Sequence, residues 1–178
     1  KQNILLYVGR IDKRKNIPLL IKSLVVLKNK IEDFILLVIG DGDKFLIKQM
    51  REQLGKEYIR FEGSIIDTNI LYKYYLISDL FVFPGDVGLG PLTAISFRAL
   101  PVIIESNTHN PEIEYLNSDN SIILPKGSSY HNYANTIYEY LSDKNKIIKM
   151  KSNSWNSIKH LTLNNMVRNF ISSINKLT

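Results

Sequence analysis

Short, unbroken apolar runs alternate along this chain with longer segments whose apolar residues recur at helical spacing. Such runs are typical of strands that are buried on both faces of a parallel sheet. The predicted strands cover residues 4–9, 34–39, 58–61, 80–83, 101–104 and 121–124. Because strand and helix alternate throughout, the pattern predicts an α/β fold, a Rossmann-like, doubly wound parallel sheet of about six strands with helices on both faces.

The segments between the strands carry signals for where helices begin. Asn16 is a predicted N-cap, Asp43 is predicted to cap the second helix, and a third helix is expected after Asp67. Further helices are predicted after the glycine-rich loop 85–91, over residues 130–141, and from about Lys144 toward the C-terminus. With no repeat or linker in view, we expect residues 1–178 to form one domain.

Composition narrows the classes of function. The chain has 178 residues and no cysteine, which excludes disulfides, thiolate metal sites and cysteine nucleophiles. Its net charge of +6 is spread over many loops and helices, which fits a solvated surface or a phosphate-bearing ligand and leaves open an anionic membrane surface. The repeated aromatic pattern of an RNA-binding sheet is missing, so nucleic acid is not expected as a partner. No signal peptide or membrane-spanning run is visible, which predicts a cytoplasmic protein, with peripheral attachment to the inner face of the membrane left open.

The loop after the first strand carries the most distinctive charges. Arg10 and Lys15 stand five residues apart, between Gly9 and a predicted helix. In an open α/β sheet, ligands bind outside the carboxyl ends of the strands, where helix N-termini favour phosphate. An arginine fork and a lysine point charge at this edge would hold a diphosphate. The alternative is a surface loop that happens to be basic.

The same segment resembles the retaining GT-B glycosyltransferases of the "glycosyl transferases group 1" family, whose donor domain opens with a strand, Gly-Arg, a short loop and Lys-Gly. Here asparagine, residue 16, stands where glycine is usual. Other family motifs follow in the same order over almost the whole chain: Gly40-Asp41-Gly42, Phe61-Glu62-Gly63, Ser78 to Pro84, and Pro101-Val102-Ile103, with Ala99 in a position that is usually glycine. The resemblance implies that Arg10 and Lys15 contact the diphosphate of a sugar nucleotide.

One departure concerns the two glutamates that the family spaces across its glycine-rich loop, the first near the sugar and the second on the ribose. Counting back from Pro101 places these slots at Asp86 and Ala94, whereas counting forward from Gly88 places them at Gly85 and Thr93. In either register the second carboxylate is missing, so Thr93 or Ser96 would have to bond the ribose hydroxyls. Gly88, Leu89 and Gly90 are predicted to bring the backbone close to the donor. Asp86 is equally well explained as a turn residue.

The resemblance implies a donor-binding domain that acts with an N-terminal acceptor-binding domain and transfers sugar to a glycan or lipid-linked acceptor. By itself the domain is expected to be inactive. It also implies that no metal or other cofactor is needed, because two cations neutralise the leaving diphosphate. A non-catalytic module that binds a nucleotide or a partner protein is the alternative. Among the three histidines no metal-ligand spacing occurs, and His109, in the loop after the fifth strand, lies at the ligand edge.

Overall fold

The sheet that the apolar runs predict is present in a computed structural model, which describes residues 2–176. Lys1, Leu177 and Thr178, at the ends of the predicted 1–178 domain, lie outside the described residues. The six strands are all parallel. In chain order they are β1 (Asn3–Val8), β2 (Phe34–Ile39), β3 (Ile59–Gly63), β4 (Leu80–Val82), β5 (Leu100–Ile104) and β6 (Ile122–Leu124). The predicted fold class is confirmed.

Seven helices connect and follow these strands in the described part of the chain. They are α1 (Ile17–Lys28), α2 (Lys44–Leu54), α3 (Thr68–Ile77), α4 (Leu89–Ser96), α5 (Tyr130–Ser142), α6 (Lys144–Ile158) and α7 (Leu163–Ile174), with a short 3-10 helix at Pro111–Tyr115. Helix α1 packs against α2 and α5, whereas α4 packs against α6 and β5. Among the described residues, no helix is both long and apolar enough to cross a membrane.

The order of the strands across the sheet is β3-β2-β1-β4-β5-β6. The chain runs outward from β1 to β3, returns, and then runs outward again on the other side from β4 to β6. Strands β1 and β4 are therefore neighbours, paired through Leu5 with Leu80 and Leu6 with Phe81. The strand order reverses between them. We call the carboxyl edge at this reversal point the crevice, because ligands bind there in folds of this order.

Two of the predicted helix starts use side-chain caps. Asp43 Oδ1 accepts hydrogen bonds from the backbone N–H groups of Phe45 and Leu46, and Asp67 Oδ1 accepts one from Asn69. Asn16 does occupy the N-cap position of α1, but its side chain makes no cap bond and its backbone is left-handed, with φ 52°. Asparagine is one of the few residues other than glycine that adopt this conformation readily.

The single helix predicted from Lys144 onward is wrong, because the structure divides it. Helix α6 ends at Ile158, and α7 begins after Thr162, whose side chain accepts a hydrogen bond from the Asn165 N–H. A new N-cap within an otherwise helical sequence satisfies a backbone donor locally and so starts a second helix.

Tyr133 of α5 connects the sheet to the edge where the crevice opens. Its side chain is fully buried, and its hydroxyl donates to the Val102 carbonyl at 2.6 Å and accepts from the Phe83 N–H at 3.0 Å. Burial raises the pKa of this hydroxyl well above its usual range, so it remains a donor. The side chain ties the end of β4 to β5, just before the loop that follows β4.

We expect Tyr133→Phe to lower the free energy of unfolding by about 1 to 2 kcal/mol, because it removes a buried hydroxyl and leaves its partners underbonded. Urea unfolding measures the change. Tyr138→Phe on the same helix is the control, since that ring is 37% exposed, and it should change stability by less than about 0.5 kcal/mol. Equal losses in the two variants would contradict the structural role of Tyr133.

Candidate functional site

Hydrogen bonds hold the base of the loop after β1, and the side chain of Arg10 in this loop has no partner among the described residues. The Tyr7 hydroxyl donates to the Arg10 carbonyl at 2.7 Å, and burial, followed by the nearby Asp12 carboxylate, raises the Tyr7 pKa. Asp12 Oδ1 accepts from the Lys15 N–H at 3.0 Å, which closes the turn. The Arg10 side chain is exposed and forms no hydrogen bond or ion pair with any residue in the described range. Its guanidinium is thus available to a ligand.

Lys15 lies at the crevice between β1 and β4. Its Nζ donates to the backbone carbonyl of Asp86 at 2.7 Å and stands 5.0 Å from the centre of the Phe83 ring. In the same contact the Asp86 N–H donates to the Arg14 carbonyl at 3.1 Å. The loop after β1 and the loop after β4 are therefore joined, and the lysine ammonium is held where they meet.

Gly85 makes this junction sterically feasible. A Cβ atom at this position would lie 2.3 Å from the Lys15 Cα, a distance that no folded protein tolerates without displacement of the backbone. Residue 85 therefore has no room for a glutamate, and Asp86 supplies the sole carboxylate of the loop over residues 85–91. That carboxylate is half-buried and accepts a hydrogen bond from the Thr108 hydroxyl at 2.5 Å.

The glycine-rich segment forms the start of α4, next to Lys15. Gly88 is the N-cap residue and provides no side-chain cap, so the first N–H groups of α4 are not satisfied by its side chain. Leu89 is exposed, and a Cβ on Gly90 would contact the same Phe83 ring that Lys15 covers. Lys15 and the first turn of α4 thus lie beside the same ring, and a cation near a helix N-terminus suits an anion.

Thr93 and Ser96 occupy different parts of α4. Thr93 is half-buried in the middle of the helix. Ser96 is the last residue of α4, and its hydroxyl donates to the Leu92 carbonyl at 3.0 Å. The structure therefore groups Lys15, Asp86 and the residues from Gly88 to Gly90, whereas Ser96 lies about 10 Å along the helix axis from Leu89. The binding roles of all these residues remain predictions.

A groove of about 1020 Å³ extends from the loop after β1 across the carboxyl ends of β1, β2 and β3. It is lined in part by Arg10, Gly40, Gly42 and Ile65. The two glycines let the loops after β1 and β2 pack backbone against backbone, since a Cβ would lie 2.0 Å from the Gly9 oxygen at Gly40 and 2.2 Å from the Ile11 oxygen at Gly42. No group of three histidine or acidic side chains in residues 2–176 could hold a metal ion.

His109 is the residue of this edge that sequence reasoning left unassigned. Its Nδ1 accepts from the Val87 N–H at 3.0 Å, and its Nε2 is 3.1 Å from the Ile104 carbonyl oxygen. Asn110 adds a backbone bond, from its N–H to the Val87 carbonyl at 3.0 Å. The one signal in the sequence was the position of His109 in a loop at the ligand edge, which gives no indication of its partners.

Comparisons with known proteins agree with this architecture. The sequence profile of the family described as "Glycosyl transferases group 1" matches residues 1–156. A glycogen synthase of Clostridium botulinum is 29% identical over 139 residues, which is 73% of this chain and 27% of that protein. The chain thus spans about a quarter of the length of the curated relatives that it matches.

Solved structures match over most of the described fold. A Staphylococcus aureus TarM mutant in complex with Fondaparinux, alpha-GlcNAc-glycerol and UDP superposes with a TM-score of 0.81 at 15% identity, covering 96% of this chain and 35% of that one. The C-terminal domain of a glycosyl transferase group 1 family protein, LpcC from Francisella tularensis, has a TM-score of 0.73 at 22% identity, with coverage of 88% and 84%. These likenesses concern the fold.

Proposed function

The chain belongs to the glycosyl transferases group 1 family, and on that premise we propose that it is the domain of a glycosyltransferase that binds the sugar-nucleotide donor. One observation carries the proposal. Lys15, fixed by the Asp86 carbonyl, and Gly90, in the first turn of α4, lie beside the same Phe83 ring, at the point where the strand order reverses between β1 and β4. A fixed cation beside free helix N–H groups, at the reversal point of a parallel sheet, is a chemical setting for a diphosphate.

In this proposal Arg10 and Lys15 both bind the diphosphate of the donor, but at different stages. Arg10 is exposed and unpaired among the described residues, so it can close over the diphosphate after the donor enters. Lys15 is already held in place, and its ammonium has three donors, of which the Asp86 carbonyl takes one. As the bond between sugar and diphosphate breaks, negative charge grows on the leaving group, and preorganised cations stabilise it. The proposed reaction therefore needs no metal ion.

The groove supports a place for the nucleoside. Its volume of about 1020 Å³ is at the upper end of the range for small-molecule sites. It starts at Arg10 and runs toward Ser64 and Ile65 after β3, so a nucleoside lying in it would extend away from Lys15. The sugar would then lie on the opposite side of the diphosphate, against the loop from Gly88 to Gly90.

A second domain is part of this proposal because α7 leaves an apolar face uncovered. None of its residues is buried, and its exposed apolar side chains recur on one stripe: Leu163, Met166, Val167, Phe170, Ile171 and Ile174. The relatives are three to four times longer than the stretch they share with this chain. We assign the stripe to contact with the N-terminal acceptor-binding domain, without which transfer to a glycan or lipid-linked acceptor does not occur.

The missing second carboxylate keeps a non-catalytic binding module as the alternative. Thr93 or Ala94 stands in the slot where the family pattern has a glutamate. The two functions differ in one measurement on the complete protein. An enzyme consumes the sugar nucleotide, whereas a binding module saturates with it and leaves it intact.

The proposal is tested with UDP, ADP and GDP and the corresponding glucose nucleotides, added to the chain in a thermal unfolding assay. At a concentration 100 times Kd, a ligand that binds only the native state should add about 2.7 kcal/mol of stability. For a domain of this size that amount raises Tm by roughly 5 to 10 °C. Inorganic phosphate and the free nucleosides are the controls. If no nucleotide raises Tm more than phosphate does, the proposed function is wrong.

A further inference from the structure

The peptide bond between Asp86 and Val87 is held from both sides. On one side its carbonyl accepts from Lys15 Nζ at 2.7 Å. On the other side its N–H donates to His109 Nδ1 at 3.0 Å. The Lys15 ammonium, by donating to the carbonyl, polarises the peptide group and makes its N–H a stronger donor. Each of the two hydrogen bonds therefore strengthens the other. Lys15 and His109 are thus connected through a single peptide group.

The His109 ring is fixed in one tautomer by its second contact. Nε2 lies 3.1 Å from the carbonyl oxygen of Ile104, the last residue of β5. A carbonyl oxygen only accepts, so Nε2 carries the proton, and Nδ1 must be unprotonated to accept from Val87. Because Ile104 pairs with Leu124 within the sheet, the imidazole transmits the position of the sheet edge to the loop after β4.

We infer that His109 is a positioning residue for the donor diphosphate, an inference that rests on the proposed function. The ring keeps the N–H of the Asp86–Val87 peptide on the β5 side and therefore keeps the carbonyl on the Lys15 side. Without an acceptor at Nδ1, the peptide loses the bond that opposes its rotation. Lys15 then loses its fixed carbonyl partner, and its ammonium no longer stands preorganised at the crevice.

Neighbouring contacts do not replace this one. The Asn110 N–H donates to the carbonyl of Val87, and the Thr108 hydroxyl donates to the side chain of Asp86. Both bonds hold the loops together, but neither involves the peptide group that Lys15 contacts. Of these contacts, those of Lys15 and His109 are the ones that engage the carbonyl and the N–H of that peptide group.

The first test needs no ligand. Long-range ¹H–¹⁵N spectra of the 178-residue chain at pH 8 report which imidazole nitrogen carries the proton. We expect the Nε2–H tautomer for His109, together with a Val87 amide proton shifted downfield by its acceptor. The Nδ1–H tautomer would overturn the inference, whatever the chain binds.

The second test compares three variants by calorimetry with UDP. Asparagine places its amide oxygen near the position of Nδ1, glutamine places its amide near Nε2, and alanine provides neither group. His109→Ala and His109→Gln should weaken UDP binding by about three- to tenfold, the value of one net hydrogen bond. His109→Asn should stay within about twofold of the unmodified chain, since it keeps the acceptor.

The outcomes separate this inference from the proposed function. Equal weakening in the asparagine and alanine variants, or no weakening in alanine, overturns the role of His109 while UDP binding itself stands. If the unmodified chain fails to bind UDP, the proposed function fails, and the tautomer and the Val87 amide still decide whether His109 sets the peptide. Should the alanine variant not fold, the spectra of the unmodified chain provide the decision.

Discussion

Replacing both Arg10 and Lys15 by alanine is expected to abolish measurable UDP binding by this chain. Each side chain would supply a charge-assisted contact to the diphosphate, and losing one such contact costs roughly 1.5 to 3 kcal/mol. Together the losses correspond to a weakening of at least a hundredfold. Lys15→Ala also removes the partner of the Asp86 carbonyl, so of the two single variants it should have the larger effect. Isothermal calorimetry measures all three proteins.

Lys13→Ala is the matched control for that experiment. Lys13 belongs to the same loop and is exposed, and its side chain makes neither of the contacts, to the Asp86 carbonyl and the Phe83 ring, that fix Lys15. Its removal lowers the net charge by the same amount as either single variant and should change UDP affinity by no more than about twofold in moderate salt. If Lys13→Ala weakens binding as much as Lys15→Ala does, the loop acts through general charge, and the assigned diphosphate site is wrong.

Gly85→Ala is expected to damage both stability and binding. The new Cβ would stand 2.3 Å from the Cα of Lys15, so the loops after β1 and β4 must separate. We expect the free energy of unfolding to fall by about 3 kcal/mol or more, at the upper end of the cost of overpacking. UDP binding should fall with it, because Lys15 moves away from the N-terminus of α4.

Gly127→Ala serves as the comparison. Gly127 has a positive φ of 81°, but a Cβ there would meet no atom within 4 Å. Its cost is the left-handed conformation alone, about 1 to 2 kcal/mol. Urea unfolding of the two variants separates a steric collision from a backbone preference. Losses of equal size would show that the loops after β1 and β4 separate at Gly85 at a lower cost in free energy than the structure indicates.

The sequence predicts the individual strands and helices of this fold well. Of their arrangement in space it predicts only the fold class. Buried strands such as Phe34–Ile39 are unbroken apolar runs, and a capping aspartate, such as Asp43, marks where a helix begins. The order of the strands across the sheet cannot be predicted from these runs, because all of them are similarly apolar. Without the adjacency of β1 and β4, nothing in the sequence brings Lys15 to Asp86.

Site residues follow the same division. The prediction that Arg10 and Lys15 bind a diphosphate came from their spacing within one loop, which is a local feature of the sequence. Counting could not separate the two registers for the family's first glutamate, which fall on Gly85 and Asp86. The structure adds that the Lys15 backbone leaves no room for a side chain at residue 85. His109 contacts Val87 across 22 residues, and a contact between two loops has no periodic signature.

The backbone seams at Gly40, Gly42 and Gly85 bear on how such a site diversifies. At each of them one loop lies against the main chain of another, so the frame of the site is made of backbone rather than of interlocking side chains. Side chains that project from the frame, such as Arg10, can be exchanged one at a time without moving it. Sequences that keep these glycines can therefore change the ligand they bind by single substitutions, whereas losing one of the glycines requires two loops to be rearranged together.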